Sequence, residues 1–311
     1  MNIQQFQYVL AVVDLKNFEA AAEKCFVTQS TLSTMIRKFE GEIGIKIFNR
    51  KTKPVSITAE GEEIIKRLRI VLNEIDALEN LVQELKGEMI GELKIGIIPT
   101  IAPYLLPLFL TDFASTFPKV KMIVKEMTTA QIQKELKIRN IDIGILALPL
   151  EDPQLEETPL YSEPFLLYDC SGEIVNDKVS VGNLDYSKLC LLQEGHCLRT
   201  QVQRICDLSN ESTKTGLNFE FESGSMDSLL RITEARKGMT ILPYLASIDV
   251  TEKVKNKLVE FSAPIPVRSV GLITHKFFVK KKLLIELKNT IQKAVDKHIP
   301  STEEYRILKP L

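Results

Sequence analysis

Thr28-Gln29-Ser30-Thr31-Leu32-Ser33-Thr34-Met35-Ile36-Arg37-Lys38-Phe39-Glu40-Gly41-Glu42-Ile43-Gly44 is the stretch on which the reading of the N-terminal domain turns. Leu32, Ile36, Phe39 and Ile43 recur at helical spacing and make one buried stripe. Thr28 stands where a hydroxyl caps a helix, and Gly44 stands where a glycine ends one. The other face carries Ser30, Thr31, Ser33, Thr34, Arg37 and Lys38. Small hydroxyl side chains at a helix N-terminus approach a duplex closely, and a basic pair reaches phosphates or guanine edges.

Upstream, Phe6, Val9, Leu10 and Val13 repeat at helical spacing, and Phe18 to Cys25 is a short helix rich in alanine. Downstream, Ile45-Lys46-Ile47-Phe48 alternates like a strand, and Asn49 to Pro54 forms a basic turn before Val55-Ser56-Ile57. Three short helices and a basic hairpin predict a winged helix-turn-helix. The rival is a small bundle with a solvated basic face. Charge supports the first: residues 1–58 hold eight basic and five acidic side chains, a balance of +3, on a chain whose net charge is −1. A basic head on a neutral chain suits phosphate contact by one domain.

The resemblance is specific here. Ala20-Ala21-Ala22, Val27 to Ser33, Ile36 to Glu40, Gly44, Phe48-Asn49-Arg50 and Thr58-x-x-Gly61 resemble the LysR-type DNA-binding domain. It implies that the helix from Gln29 enters the major groove of promoter DNA, with Arg50 and Lys53 on the backbone. Met35 departs from the polar residue common there, which bears on base preference. Beyond Thr58, Ile64, Leu68, Val71, Ile75, Leu78, Val82 and Leu85 keep alternating four- and three-residue steps, an a/d seam of a two-helix coiled coil. The expected domains are 1–58 (DNA binding), 59–88 (dimerising linker helix, with a hinge at Gly87–Gly91) and 89–311 (regulatory).

From Glu92 strands and helices alternate, which predicts α/β architecture with mostly parallel sheets. Expected strands include Val120–Val124, Ile141–Leu148, Leu189–Leu192, Phe219–Phe221 and Val267–Ile273. The resemblance implies two lobes joined by two crossings, as in periplasmic binding proteins. Ligands in such folds sit at strand C-termini against helix N-termini, places held by Thr100 and Thr129. With 311 residues and no apolar run near a membrane span, the chain reads as about two domains without a signal peptide, hence cytoplasmic. Five cysteines at irregular spacing fit neither a secreted disulfide framework nor a zinc site, and no cofactor is expected.

Cys197 follows an apolar run and opens a predicted helix, with His196 and Arg199 beside it. Helix dipole and neighbouring charge favour thiolate, the nucleophilic form. The bland alternative is a buried cysteine serving as a small hydrophobe. Leu191-Leu192-x-Glu194-Gly195-His196-Cys197-Leu198-Arg199-x-Gln201 with Cys206, Ile98 to Pro107, and Gly238 to Pro243 resemble the peroxide-sensing OxyR branch of the LysR-type family. That resemblance implies that Cys197 attacks hydrogen peroxide and Cys206 resolves the product to a disulfide, with Thr100, Thr129, His196 and Arg199 orienting peroxide. Thr128 rivals Thr129. Nine helical residues span about 13 Å, whereas a disulfide needs Cα atoms within about 7 Å, so the bond requires local unwinding. It further implies a dimer of dimers, RNA polymerase as partner and a cytosolic thiol reductant. Two rivals are a LysR-type regulator answering a small inducer in the inter-lobe cleft, and a thiol peroxidase enzyme.

Overall fold

A computed structural model describes residues 1–85, 89–172, 174, 178–193, 197–205, 224–300 and 305–308. The hinge glycine 87, the strand expected at 219–221, and both His196 and Cys206 lie outside the described residues. The chain forms two compact units, Met1–Glu88 with Ile138–Asn140, and Met89–Lys137 with Ile141–Leu311.

In the first unit, helices α1 (Ile3–Leu15), α2 (Phe18–Lys24) and α3 (Gln29–Ile43) precede a two-stranded hairpin, β1 (Phe48–Asn49) and β2 (Ser56–Ile57), and a long helix α4 (Ala59–Leu85). Asn2, Asn17 and Thr28 cap the three short helices with their side chains, and Gly44 closes α3 in the left-handed region at φ 70°. Ala21 and Ala22 are buried, so their small size lets α2 close on the core of Val9, Val12, Leu32, Ile36 and Phe39. The wing strand is shorter than the expected 45–48 and begins at Phe48. The reason is local: the Glu40 carboxylate accepts the N–H groups of Ile47 and Phe48. Gly61 is required at the start of α4, because a Cβ there would lie 2.6 Å from the Ile47 carbonyl oxygen. Along α4 Leu68 is buried against the head, whereas Val71, Leu78 and Val82 are exposed.

The second unit has two lobes. In the first, β3 (Gly91–Ile97) pairs in parallel with β4 (Val120–Glu126) and β5 (Ile143–Leu148), with α5 (Ala102–Thr116) and α6 (Thr129–Lys137) as crossovers. Strand β6 (Leu155–Asp169) then runs into the second lobe, which holds β7 (Lys178–Val179), α7 (Cys197–Ile205), α8 (Met226–Ala235), β8 (Met239–Pro243), α9 (Glu252–Lys255) and β9 (Leu258–Phe261). The chain returns through β10 (Ile265–His275) to α10 (Lys281–Val295) and β11 (Tyr305–Leu308).

The sheets are mixed, not mostly parallel. Antiparallel β10 joins β5 to β6, and the second half of β6 pairs antiparallel with β8 and β9. Outgoing and returning crossings lie side by side and run in opposite directions, which the βα alternation does not reveal. The run at Leu189–Leu192 also is not a ladder. Leu189 makes an isolated bridge to Met239, the Cys190 N–H donates to the Met239 carbonyl, and Thr240 Oγ1 donates to the Cys190 carbonyl. Two cores result, one per lobe, and α7 serves both: Cys197 packs into the first, Leu198, Val202 and Ile205 into the second.

Candidate functional site

On the head, Gln29, Ser30, Thr31, Thr34, Arg37 and Lys38 are exposed along α3, and Lys53 is exposed in the wing turn. The hydroxyls of Ser30 and Thr31 lie within hydrogen-bond distance of Thr28 Oγ1, so the cap and the exposed N-terminal face are one network. Ser33 and Arg50 turn inward. Arg50 donates to Ser33 Oγ at 2.8 Å and to Glu40 Oε2 at 3.1 Å, and its guanidinium stacks 4.8 Å from the Phe18 ring centroid. Arg50 therefore fastens the wing to α3 and neutralises a carboxylate with no exposed surface. An Arg50→Ala variant strands that carboxylate. The expected loss in urea unfolding is about 1–3 kcal/mol, less than for a fully buried pair because the guanidinium keeps some solvent. DNA affinity should fall mainly through the wing, whereas Lys53→Ala should leave stability unchanged.

In the regulatory unit, Cys197 is the first residue of α7 and is buried, 5% exposed. Thr100 lies beyond the C-terminal end of β3, and Thr129 opens α6 just past the end of β4, so two strand ends deliver two hydroxyls to the sulfur. Thr128, by contrast, caps α6: its Oγ1 accepts from the Gln131 N–H. Thr129 Oγ1 is buried and, apart from the sulfur it faces, has no hydrogen-bond partner among the described residues.

The charge at this site comes from a residue that the sequence reading missed. Arg268, on β10, is 1% exposed and donates through Nη1 to Thr100 Oγ1 at 3.3 Å and through Nη2 to the Thr100 carbonyl at 3.1 Å. Its Nε donates to Glu163 Oε2 at 2.7 Å, and Glu163 is the residue directly opposite on β6. The other Glu163 oxygen accepts the Leu245 N–H at 2.7 Å. Arg199 plays a different part, because it donates to the Leu192 carbonyl at 2.7 Å.

Burial pushes the Cys197 thiol above its ordinary value, while Arg268, the Thr129 and Thr100 hydroxyls and the Leu198 N–H pull it back. The net direction is upward, so burial outweighs the groups around the sulfur that favour thiolate. Desolvation outweighs the helix terminus because the whole side chain is out of water. Gln201, one turn along α7 from Cys197, is fully buried, and among the described residues neither end of its amide nor the Tyr161 hydroxyl on β6 has a partner. Of these buried polar atoms the Thr129 hydroxyl faces the sulfur itself, a setting suited to a small guest that accepts or donates a hydrogen bond there. The sequence did carry a signal for Arg268, a lone charge in the apolar strand Val267-Arg268-Ser269-Val270.

Cys190 is buried in the second lobe's core, and Cys25 and Cys170 are half-buried. A separate cavity of about 280 Å³ opens between α5, α8 and the 244–247 turn, with Tyr104, Leu230 and Asp227 on its walls. Among the described residues no helix is long and apolar enough to cross a membrane, and no cluster of three metal-ligating side chains occurs.

Residues 3–62 match the bacterial regulatory helix-turn-helix protein model of the lysR family, and residues 86–292 match the LysR substrate binding domain. The chain is 32% identical over 300 residues to the DNA-binding transcriptional dual regulator OxyR of Escherichia coli K12, covering 96% of this chain and 97% of that one. It is 33% identical over 275 residues to the hydrogen peroxide-inducible genes activator of Pectobacterium carotovorum, covering 88% and 90%. Its fold superposes on a full-length OxyR variant from Pseudomonas aeruginosa with a TM-score of 0.76 at 28% identity, over 94% of this chain and 98% of that chain.

Proposed function

We propose a function from one premise: the chain belongs to the LysR family of bacterial regulatory helix-turn-helix proteins. It is a transcription regulator and not an enzyme. In our reading it senses hydrogen peroxide through Cys197 and activates oxidative-stress genes. The observation that carries this is the Cys197 sulfur held beside Arg268, facing the Thr100 hydroxyl and the otherwise unpartnered Thr129 hydroxyl. The names of the relatives point the same way.

The chemistry has two steps. Thiolate attacks one peroxide oxygen and the O–O bond breaks; the departing hydroxide takes a proton and leaves as water, and Cys197 becomes sulfenic acid. The Cys206 thiol then attacks that sulfur, giving a Cys197–Cys206 disulfide and a second water. Arg268 balances the thiolate, while Thr129 and Thr100 orient peroxide, assisted in this reading by His196. Arg199 acts more remotely, through Leu192. Because Cys197 is the first residue of a nine-residue helix and Cys206 follows its last, the bond demands that α7 unwind. Residues in both lobe cores would then move, which is how the change would leave the site. A cytosolic thiol reductant resets it.

Residues 1–58 bind promoter DNA through Gln29, Ser30, Thr31, Thr34, Arg37 and Lys38 in the major groove, with Lys53 on phosphate; Ser33 and Arg50 brace that surface. Residues 59–88 pair two chains along the exposed side of α4, and residues 89–311 carry the sensor. A dimer of dimers working in the cytoplasm with RNA polymerase completes the reading. The test is peptide mapping of the full-length protein after one equivalent of peroxide, with iodoacetamide blocking free thiols. A Cys197–Cys206 linkage formed within minutes is expected. If both residues remain alkylatable, the peroxide reading fails. The second reading, a regulator with a small inducer between its lobes, would then be favoured by the 280 Å³ cavity beside Tyr104.

A further inference from the structure

Among the described residues Arg268 is the one buried cation, and it has two candidate anions. Glu163, with no exposed surface, already holds its Nε at 2.7 Å from directly across β6 and β10. The Cys197 sulfur lies near enough to the same guanidinium to feel its charge. The other titratable groups facing this cluster are Tyr104 from α5 and Tyr161 from β6, both pushed upward by burial, with Asp227 of α8 acting on Tyr104. The tyrosines stay neutral at physiological pH.

With Cys197 as thiol, the Arg268–Glu163 pair leaves the pocket neutral. Ionising Cys197 leaves it with one net negative charge out of water, which is costly. Were Glu163 neutral, the count would reverse: the thiol form would strand a cation, and the thiolate would cancel it.

We propose that Glu163 competes with the Cys197 thiolate for the Arg268 guanidinium and, by occupying it, restrains the attack of the sulfur on peroxide. The inference rests on the peroxide-sensing reading of Cys197. Glu163 is in this sense a positioning residue that acts through Arg268, and it sets the peroxide level at which the sensor fires. A carboxylate that only held Arg268 against the sulfur would have the opposite effect, since its loss would slow the reaction. Glu163 is also tied to the 244–247 turn through the Leu245 N–H, so the restraint belongs to the crossing strands and not to α7.

The experiment is the pH profile of Cys197 alkylation by iodoacetamide, read by peptide mass in the full-length chain and in Glu163→Gln. The midpoint should fall by about one pH unit or more in the variant, the usual scale for freeing a partner charge. Alkylation at neutral pH then runs roughly tenfold faster. An unchanged or raised midpoint overturns the proposal. The amide can accept only one of the two donors that Glu163 satisfies; if that variant does not fold, Glu163→Asp shortens the arm, and a smaller shift in the same direction is expected. No shift there overturns it equally. Alkylation needs no peroxide, so the two ideas fail separately. A lowered midpoint with Cys197 inert to peroxide keeps the charge competition and removes the peroxide reading; rapid oxidation with an unmoved midpoint does the reverse.

Discussion

A Cys197→Ser variant is expected to bind promoter DNA as the reduced protein does and to ignore hydrogen peroxide. The hydroxyl fits a site already lined by Thr100, Thr129 and the Leu198 N–H, so folding stability should stay within about 1 kcal/mol. Oxidation should fall by roughly 10³-fold or more, the scale on which loss of a nucleophile is felt. Thiol titration against peroxide, followed by promoter binding, measures both. A variant that still switches with peroxide would place the sensing thiol elsewhere. The same substitution has a pH signature. Burial raises the Cys197 thiol above 9.0 in the folded protein, whereas the unfolded chain ionises near that ordinary value. Between those two values the unfolded chain binds fewer protons, so stability is intact below pH 9 and is lost as pH rises above it. Cys197→Ser should flatten that alkaline loss in urea titrations at successive pH values.

The head was legible because its physics is local. A buried stripe at helical spacing, a threonine cap and a terminal glycine lie within seventeen residues of one another, and the structure places each where the pattern put it. The thiol was legible for a similar reason, as a cysteine opening an amphipathic helix. What escaped depends on partners distant in sequence. Arg268 and Glu163 stand 105 positions apart and meet only because the outgoing and returning crossings pair, a fact invisible in βα alternation. Ser33 and Arg50 read as part of the exposed face until the buried Glu40 carboxylate is seen to claim both the wing's N–H groups and the guanidinium. The raised Cys197 thiol has the same origin. Dipole and neighbouring charges can be read from the residues beside it, but desolvation comes from the core of the first lobe, assembled from residues distant in sequence.

Arg268→Met should carry the second large effect, and it separates stability from reactivity. Removing the guanidinium strands Glu163 in the interior with only the Leu245 N–H, a loss of about 3–5 kcal/mol for a broken buried pair. It also removes the charge that favours thiolate at Cys197, so peroxide oxidation should slow by roughly 10²-fold, the lower end for losing a preorganised donor. Either result alone could come from a misfolded pocket. Adding Glu163→Leu to Arg268→Met replaces the pair with apolar side chains, which is often neutral or stabilising by about 1–4 kcal/mol. The double variant should therefore recover the urea midpoint without recovering the peroxide rate, as measured by denaturation and by thiol loss on one protein sample. Recovery of both would mean that Arg268 only holds the crossing strands together. Recovery of stability alone would identify it as the cation against which the Cys197 thiolate forms.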